Sequence, residues 1–137
     1  MFIDVGASIG RRSLSVAKLF PESLIVAIGP DPDTYEALVR GIELNGMSNV
    51  KALPVALSDV DGCVALCRKL STTASSVVEC NDSLGTVKVQ SKRLDTSVNE
   101  LSLRRVDLVK IDVERAELKV PVGGSRYVAE IQACCCG

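Results

Sequence analysis

Apolar positions in this chain fall into short unbroken runs, separated by stretches with helical periodicity. Phe2 to Gly6 (FIDVG) is one such run, ending in glycine, and predicts a buried strand. Leu14, Ala17 and Leu19 recur at helical spacing within Arg11 to Phe20, and Pro21 stops that helix. Leu24 to Ile28 is continuously apolar, as expected of a strand covered on both faces. Pro32 and Asp33 open a second helix with Tyr35, Leu38, Val39 and Ile42 on its buried face, and Asn45-Gly46 closes it.

Val50 to Leu57 (VKALPVAL) reads as a third strand with Pro54 in its middle. Proline donates no ladder hydrogen bond, so this strand belongs at a sheet edge. Gly62 to Arg68 and Thr86 to Arg93 alternate in polarity as half-exposed strands do. The polar stretch between them, STTASSVVECNDSLG, is expected to be a mobile loop. Ser97 with Glu100 forms a capping-box pattern for a short helix ending near Leu103, and Val106 to Val113 is a further strand. Strands alternating with helices at this rhythm predict an α/β fold, a doubly wound and mainly parallel sheet, in a single domain.

Composition narrows the function classes. Sixteen basic residues balance 17 acidic ones, aromatics are 3% and Trp is absent, which argues against a nucleic-acid partner. No apolar run is long enough for a bilayer and no signal-type segment leads the chain, so no membrane partner and a cytoplasmic setting are expected. With no histidine, Ser–His–Asp and Cys–His catalysis and His-ligated metals are excluded. Proton transfer then falls to a carboxylate, Lys, Cys or Tyr. The 6 cysteines show no CxxC spacing, and read as buried thiols plus a reactive tail at Cys134, Cys135 and Cys136, with no metal site.

The first candidate for chemistry is DVGASIG, Asp4 to Gly10, between the first strand and first helix. Gly6 permits a tight turn, and the loop amides with the helix N-terminus can hold a polar or anionic group. The dinucleotide fingerprint G-x-G-x-x-G fails, because Ser8 and Arg11 stand at its second and third glycines. That failure disfavours an NAD-dependent oxidoreductase. The looser acid-x-Gly-x-x-x-Gly loop of S-adenosylmethionine enzymes fits Asp4, Gly6 and Gly10, the acid facing the ammonium of the methionyl group. A generic strand–helix turn is the competing explanation.

Taken in order, FIDVGASIG, VAIGPDPDTYEAL…IELNG, NVKALPVALSDVDG and VDLVKIDVERAEL resemble the successive blocks of the FkbM family of S-adenosylmethionine-dependent methyltransferases, from Phe2 to about Leu118. The resemblance implies the Rossmann-like class I methyltransferase core, with strand order 3-2-1-4-5-7-6, in which the third strand is an edge. It implies O-methylation of a hydroxyl on a sugar or other small metabolite, with S-adenosyl-L-methionine as cofactor. On this resemblance the cofactor-binding positions are Asp4, Gly6, Ala7, Ser8, Gly10, Gly29, Asp31, Ser58 and Asp59. The family's ribose-binding glutamate falls at Gly29, which has no side chain; Asp31 either reaches the ribose or serves the turn before Pro32. Asp59 either faces the adenine or belongs to the Asp61-Gly62 turn.

The block KIDVERAEL corresponds to the family's KIDVEGAE, where substrate meets the methyl group. Asp112 is the first candidate for the base or for orienting the hydroxyl, with Glu114 second; either residue also suits capping of the following helix. Arg115 stands where the family has Gly. The sequence ends at VGGSRYVAEIQACCCG, and a partial domain with residues 125–137 outside the family pattern is expected. The VDLVKIDV strand would then have an exposed edge, inviting self-association. A catalytically weak remnant serving as a binding or structural module is the alternative to a working enzyme.

Overall fold

The structure, a computed structural model, describes residues 1–68, 75–76, 86–103, 105–113 and 119–124. In chain order these form β1 (Phe2–Val5), α1 (Arg11–Leu19), β2 (Ile25–Ile28), α2 (Pro32–Leu44), β3 (Val50–Leu53), β4 (Ala56–Leu57), β5 (Gly62–Arg68), β6 (Ser75–Ser76), β7 (Thr86–Lys92), α3 (Leu94–Glu100), β8 (Leu108–Ile111) and α4 (Lys119–Val122).

The main sheet runs β3-β2-β1-β8, every pair parallel. All residues of β1 and β2 are buried, which is why both read as unbroken apolar runs. Ile3, Val5, Val26, Ile28, Val109 and Ile111 cover one face together with Leu94 and Val98 of α3. On the opposite face Phe2 and Ile25 pack with Ala17 of α1, and Ala27 packs with Leu38 of α2. The sheet is therefore wound by helices on both sides, the α/β arrangement the sequence predicts.

Asn49, just before β3, anchors the connection from α1 to β2. Its side-chain amide donates to the carbonyls of Ala17, Phe20 and Ser23 at 3.1, 3.2 and 3.1 Å, satisfying acceptors left open where α1 ends.

Two expectations change. Val50 to Leu57 is not one strand: β3 is indeed an edge of the main sheet, but Pro54 and Val55 break the ladder, and β4 pairs in parallel with β7 in a second sheet ordered β4-β7-β5-β6. Proline thus marks a transfer between sheets. The helix expected from the Ser97 capping box begins earlier, at Leu94, and Ser97 lies buried inside it. Its start is tied down instead by Asp61, which accepts from the Arg93 amide at 2.8 Å and the Thr96 hydroxyl at 3.0 Å.

The polar 71–85 stretch, apart from Ser75–Ser76, lies outside the described residues, as do Glu114, Arg115, Cys80 and residues 125–137. The expectation of buried thiols does not hold: Cys63 is exposed and free, while the buried Cys67 is disulfide-bonded.

Candidate functional site

The strand order reverses direction at β1, whose neighbours β2 and β8 lead to opposite sides. In open α/β sheets a ligand crevice forms outside the carboxyl ends of the strands at such a point. Four segments border it here: the Gly6–Gly10 loop, Gly29 after β2, Asp112 after β8, and the first turn of α1.

The loop is folded tightly against the sheet. The amides of Gly6 and Ala7 both donate to the Ile28 carbonyl at 2.9 Å, and the Gly10 amide donates to Ala7 at 2.8 Å. Gly6, Ser8 and Gly10 adopt left-handed backbone, with φ of +79°, +50° and +85°. At Gly6 the need is absolute, since an added Cβ would lie 2.0 Å from the Asp112 carbonyl oxygen. Ser8 is a non-glycine residue held in a sparsely populated region, the kind of strain that gathers at ligand sites. The amides of Ser8 and Ile9 make no hydrogen bond among the described residues, and Gly10 at the N-cap of α1 offers no side-chain cap. These open donors, with the positive end of a helix dipole, suit a polar or anionic group.

Asp4 points away from this rim. It is fully buried beneath α1, where its Oδ2 accepts from the Ser13 hydroxyl at 2.7 Å and its Oδ1 from Lys110 Nζ at 2.8 Å. Lys110 also lies 3.4 Å from Asp112 Oδ2, and Arg12 lies 3.6 Å from that same oxygen. The chain of groups Ser13–Asp4–Lys110–Asp112–Arg12 therefore runs from the core to the rim with two negative and two positive charges. Asp112 and Arg12 form its exposed end, each with about half of its side-chain surface open to solvent, and the Asp112 amide donates to the Val5 carbonyl at 3.0 Å.

Gly29 has ordinary backbone geometry, and its amide donates to Leu53 at 3.1 Å. A Cβ built there would meet only the Ser8 amide nitrogen, at 3.7 Å, an ordinary contact. Asp31, two residues on, is buried, and its Oδ1 accepts from the amides of Asp33 and Thr34, both at 3.1 Å. That is an N-cap for α2, followed by Pro32 at the first helical position.

Ser58 and Asp59 follow β4 against the second sheet. The Ser58 amide donates to Lys92 at 3.0 Å and its hydroxyl to Asp59 Oδ1 at 2.8 Å. That hydroxyl, with a smaller contribution from the Lys119 cation, holds the Asp59 carboxyl below its usual range. Neither residue bonds the Gly6–Gly10 loop among the described residues. The structure therefore gathers Gly6, Ala7, Ser8, Gly10, Gly29 and Asp112 at the carboxyl ends of β1, β2 and β8, sets Asp4 behind them, commits Asp31 to a helix cap, and leaves Ser58 and Asp59 to one side. Lys110, Ser13 and Arg12 were missed by the sequence reading. The available signal was a lysine alternating with apolar residues inside a strand.

Comparison with known proteins decides the family. The model of the methyltransferase FkbM domain matches residues 4–134. The chain belongs to the FkbM methyltransferase family. It is similar to Methyltransferase 1 of Beauveria bassiana, at 30% identity over 86% of this chain and 55% of that protein. It is also similar to Methyltransferase sdnD of Sordaria araneosa, at 34% identity over 88% of this chain and 59% of that protein. A third match, the AMB antimetabolite synthetase AmbE of Pseudomonas aeruginosa, is 27% identical over 88% of this chain but only 7% of that protein. The chain thus spans somewhat more than half the length of the two methyltransferases. No solved structure matches it at a significant level. For this FkbM domain the α/β fold and parallel sheet agree with a Rossmann-like methyltransferase core, and no helix among the described residues is long and apolar enough to cross a membrane.

Proposed function

We propose that this FkbM domain binds S-adenosyl-L-methionine in the crevice above β1 and β2 and methylates a hydroxyl oxygen of a small metabolite or sugar. The observation that carries the reading is the Gly6–Gly10 turn, whose Ser8 and Ile9 amides have no partner among the described residues and whose Ser8 amide nitrogen is the one neighbour a Cβ at Gly29 would meet, at 3.7 Å. The turn packs so closely on the end of β8 that a Cβ added at Gly6 would lie 2.0 Å from the Asp112 carbonyl oxygen, which brings the loop amides beside Asp112. Family membership supplies the reaction class, and the two methyltransferase relatives support it.

When bound, the cofactor supplies an electrophilic methyl on a sulfonium; an oxygen–carbon bond forms as the sulfur–carbon bond breaks, leaving S-adenosylhomocysteine. The residues supply position and proton management. Loop amides and the start of α1 orient the polar end of the ligand. Asp112, at the end of β8 and half-exposed, is placed to accept the hydroxyl proton or to hold the hydroxyl in line. Lys110 and Arg12 lie beside one oxygen of the same carboxylate, at 3.4 and 3.6 Å, and hold it in place at the end of β8. Glu114 is the second candidate for this role and lies outside the described residues.

Calorimetric titration with S-adenosylmethionine and S-adenosylhomocysteine tests the reading. Saturable heat is expected, and its absence at millimolar ligand would overturn it. The alternative, a domain that binds without turning over, is favoured by the missing side chain at Gly29. It predicts saturable heat with no S-adenosylhomocysteine formed across a panel of hydroxylated acceptors.

A further inference from the structure

At the end of the second strand of a nucleoside-binding parallel sheet, an acidic side chain accepts hydrogen bonds from the ribose hydroxyls. Gly29 occupies that position here. It directly follows Ile28, whose carbonyl pins the Gly6–Gly10 loop, so it belongs to the crevice wall. Backbone geometry does not demand the glycine: φ is ordinary, and a Cβ would find a single neighbour at 3.7 Å. Among the described residues the nearest acid along the chain, Asp31, is 8% exposed, and its Oδ1 already accepts from the Asp33 and Thr34 amides of α2.

We infer that the sugar subsite beside Gly29 takes adenine nucleosides without reading their ribose hydroxyls. This rests on the cofactor reading above but goes beyond it, because it assigns the ligand's specificity. A site built to bond a ligand hydroxyl rejects the analogue that lacks it by several powers of ten, since its own polar group is left buried and unpaired. A site with open space there has no group to leave unpaired. The adenosyl ligand is then held from its amino-acid end by the loop amides, and the ribose hydroxyls remain hydrated.

Titration calorimetry of the full chain with S-adenosylhomocysteine and its 2′,3′-dideoxy analogue tests this. For the natural chain the two dissociation constants should agree within about threefold. Gly29→Glu should tighten S-adenosylhomocysteine by roughly ten- to a hundredfold and leave the dideoxy analogue unchanged. Rejection of the dideoxy analogue by more than about tenfold in the natural chain would overturn the inference, and that measurement needs no variant to fold. Equal tightening of both ligands by Gly29→Glu, or of neither, would also overturn it by showing that residue 29 does not face the sugar. Heat from Gly29→Glu with none from the natural chain would overturn it, because the natural subsite would then not take the nucleoside at all. Silence from both ligands with both proteins removes the cofactor reading itself, a failure distinct from loss of hydroxyl indifference.

Discussion

The buried Asp4–Lys110 pair can be tested directly by removing one partner at a time. Lys110→Met removes the ammonium while keeping much of the stem's bulk. Asp4, with a side chain 1% exposed, is then left charged beneath α1 with only the Ser13 hydroxyl for company. Orphaning one member of a buried ion pair costs about 3–5 kcal/mol, a large share of the 5–15 kcal/mol typical of a domain. Asp4→Asn should cost less, about 1–3 kcal/mol: Asn still accepts from Ser13, and Lys110 retains Asp112 at 3.4 Å and can extend its charge toward solvent.

In the double variant no unmatched buried charge remains, so Asp4→Asn should partly rescue Lys110→Met. The expected coupling is about 1.5–3 kcal/mol. Urea unfolding followed by far-UV circular dichroism is the assay, since the chain has no Trp to report by fluorescence. A shift in midpoint at constant m-value keeps the comparison two-state. Lys110→Met costing under about 1 kcal/mol, or single effects that simply add in the double, would refute the buried pair. The same variants bear on the ligand. Because both Asp4 oxygens are already occupied, folded Asp4→Asn should bind S-adenosylhomocysteine within about threefold of the natural chain; a tenfold loss would return Asp4 to direct contact with the cofactor.

Further outcomes follow from the same geometry. Gly6→Ala should destabilise by about 3–5 kcal/mol, combining left-handed backbone with a 2.0 Å clash against the Asp112 carbonyl, whereas Gly29→Ala should be neutral or gain about 0.4–1 kcal/mol; thermal melts of the two distinguish them. Asn49→Ala strips a donor from three carbonyls and should cost about 1–3 kcal/mol in urea midpoint analysis, with Asn49→Asp worse because it faces those carbonyls with another acceptor. The Arg93 amide, then the Thr96 hydroxyl, hold the Asp61 carboxyl below its ordinary range in the fold, so its contribution is present above the unfolded carboxyl's pKa and is lost as pH falls through the lower folded value. Asp61→Asn should therefore flatten the fall in urea midpoint below about pH 4; an unchanged acid slope would remove Asp61 from the acid transition.

What the sequence disclosed and what it withheld divide along sequence separation. Strands β1 and β2 are covered on both faces, so their apolar runs announce them without reference to anything distant. The two long helices carry their own periodicity and stops. The Gly6–Gly10 turn was legible for a related reason: a glycine turn between strand and helix is a local event, and a parallel sheet places all such turns at one end. The misreadings concern partners far along the chain. Nothing within Val50–Leu57 tells that its last residues pair with Ser91 and Lys92. Nothing near Ser97 tells that Asp61 will hold the start of α3. Asp4 shows the consequence for function. Its spacing before Gly6 suggested an acid waiting for a ligand's ammonium, and it does hold an ammonium, but the one supplied by Lys110 through the β1–β8 register. A carboxylate in an apolar strand has to be neutralised by something once it is buried. Whether that something is a ligand or another strand is decided by register, which a single sequence does not display. The sign available beforehand was the matching oddity, a lysine in the apolar run of β8. Where two buried parallel strands each contain one charge, and the charges are opposite, pairing them across the sheet is the first arrangement to test before either is assigned to a ligand.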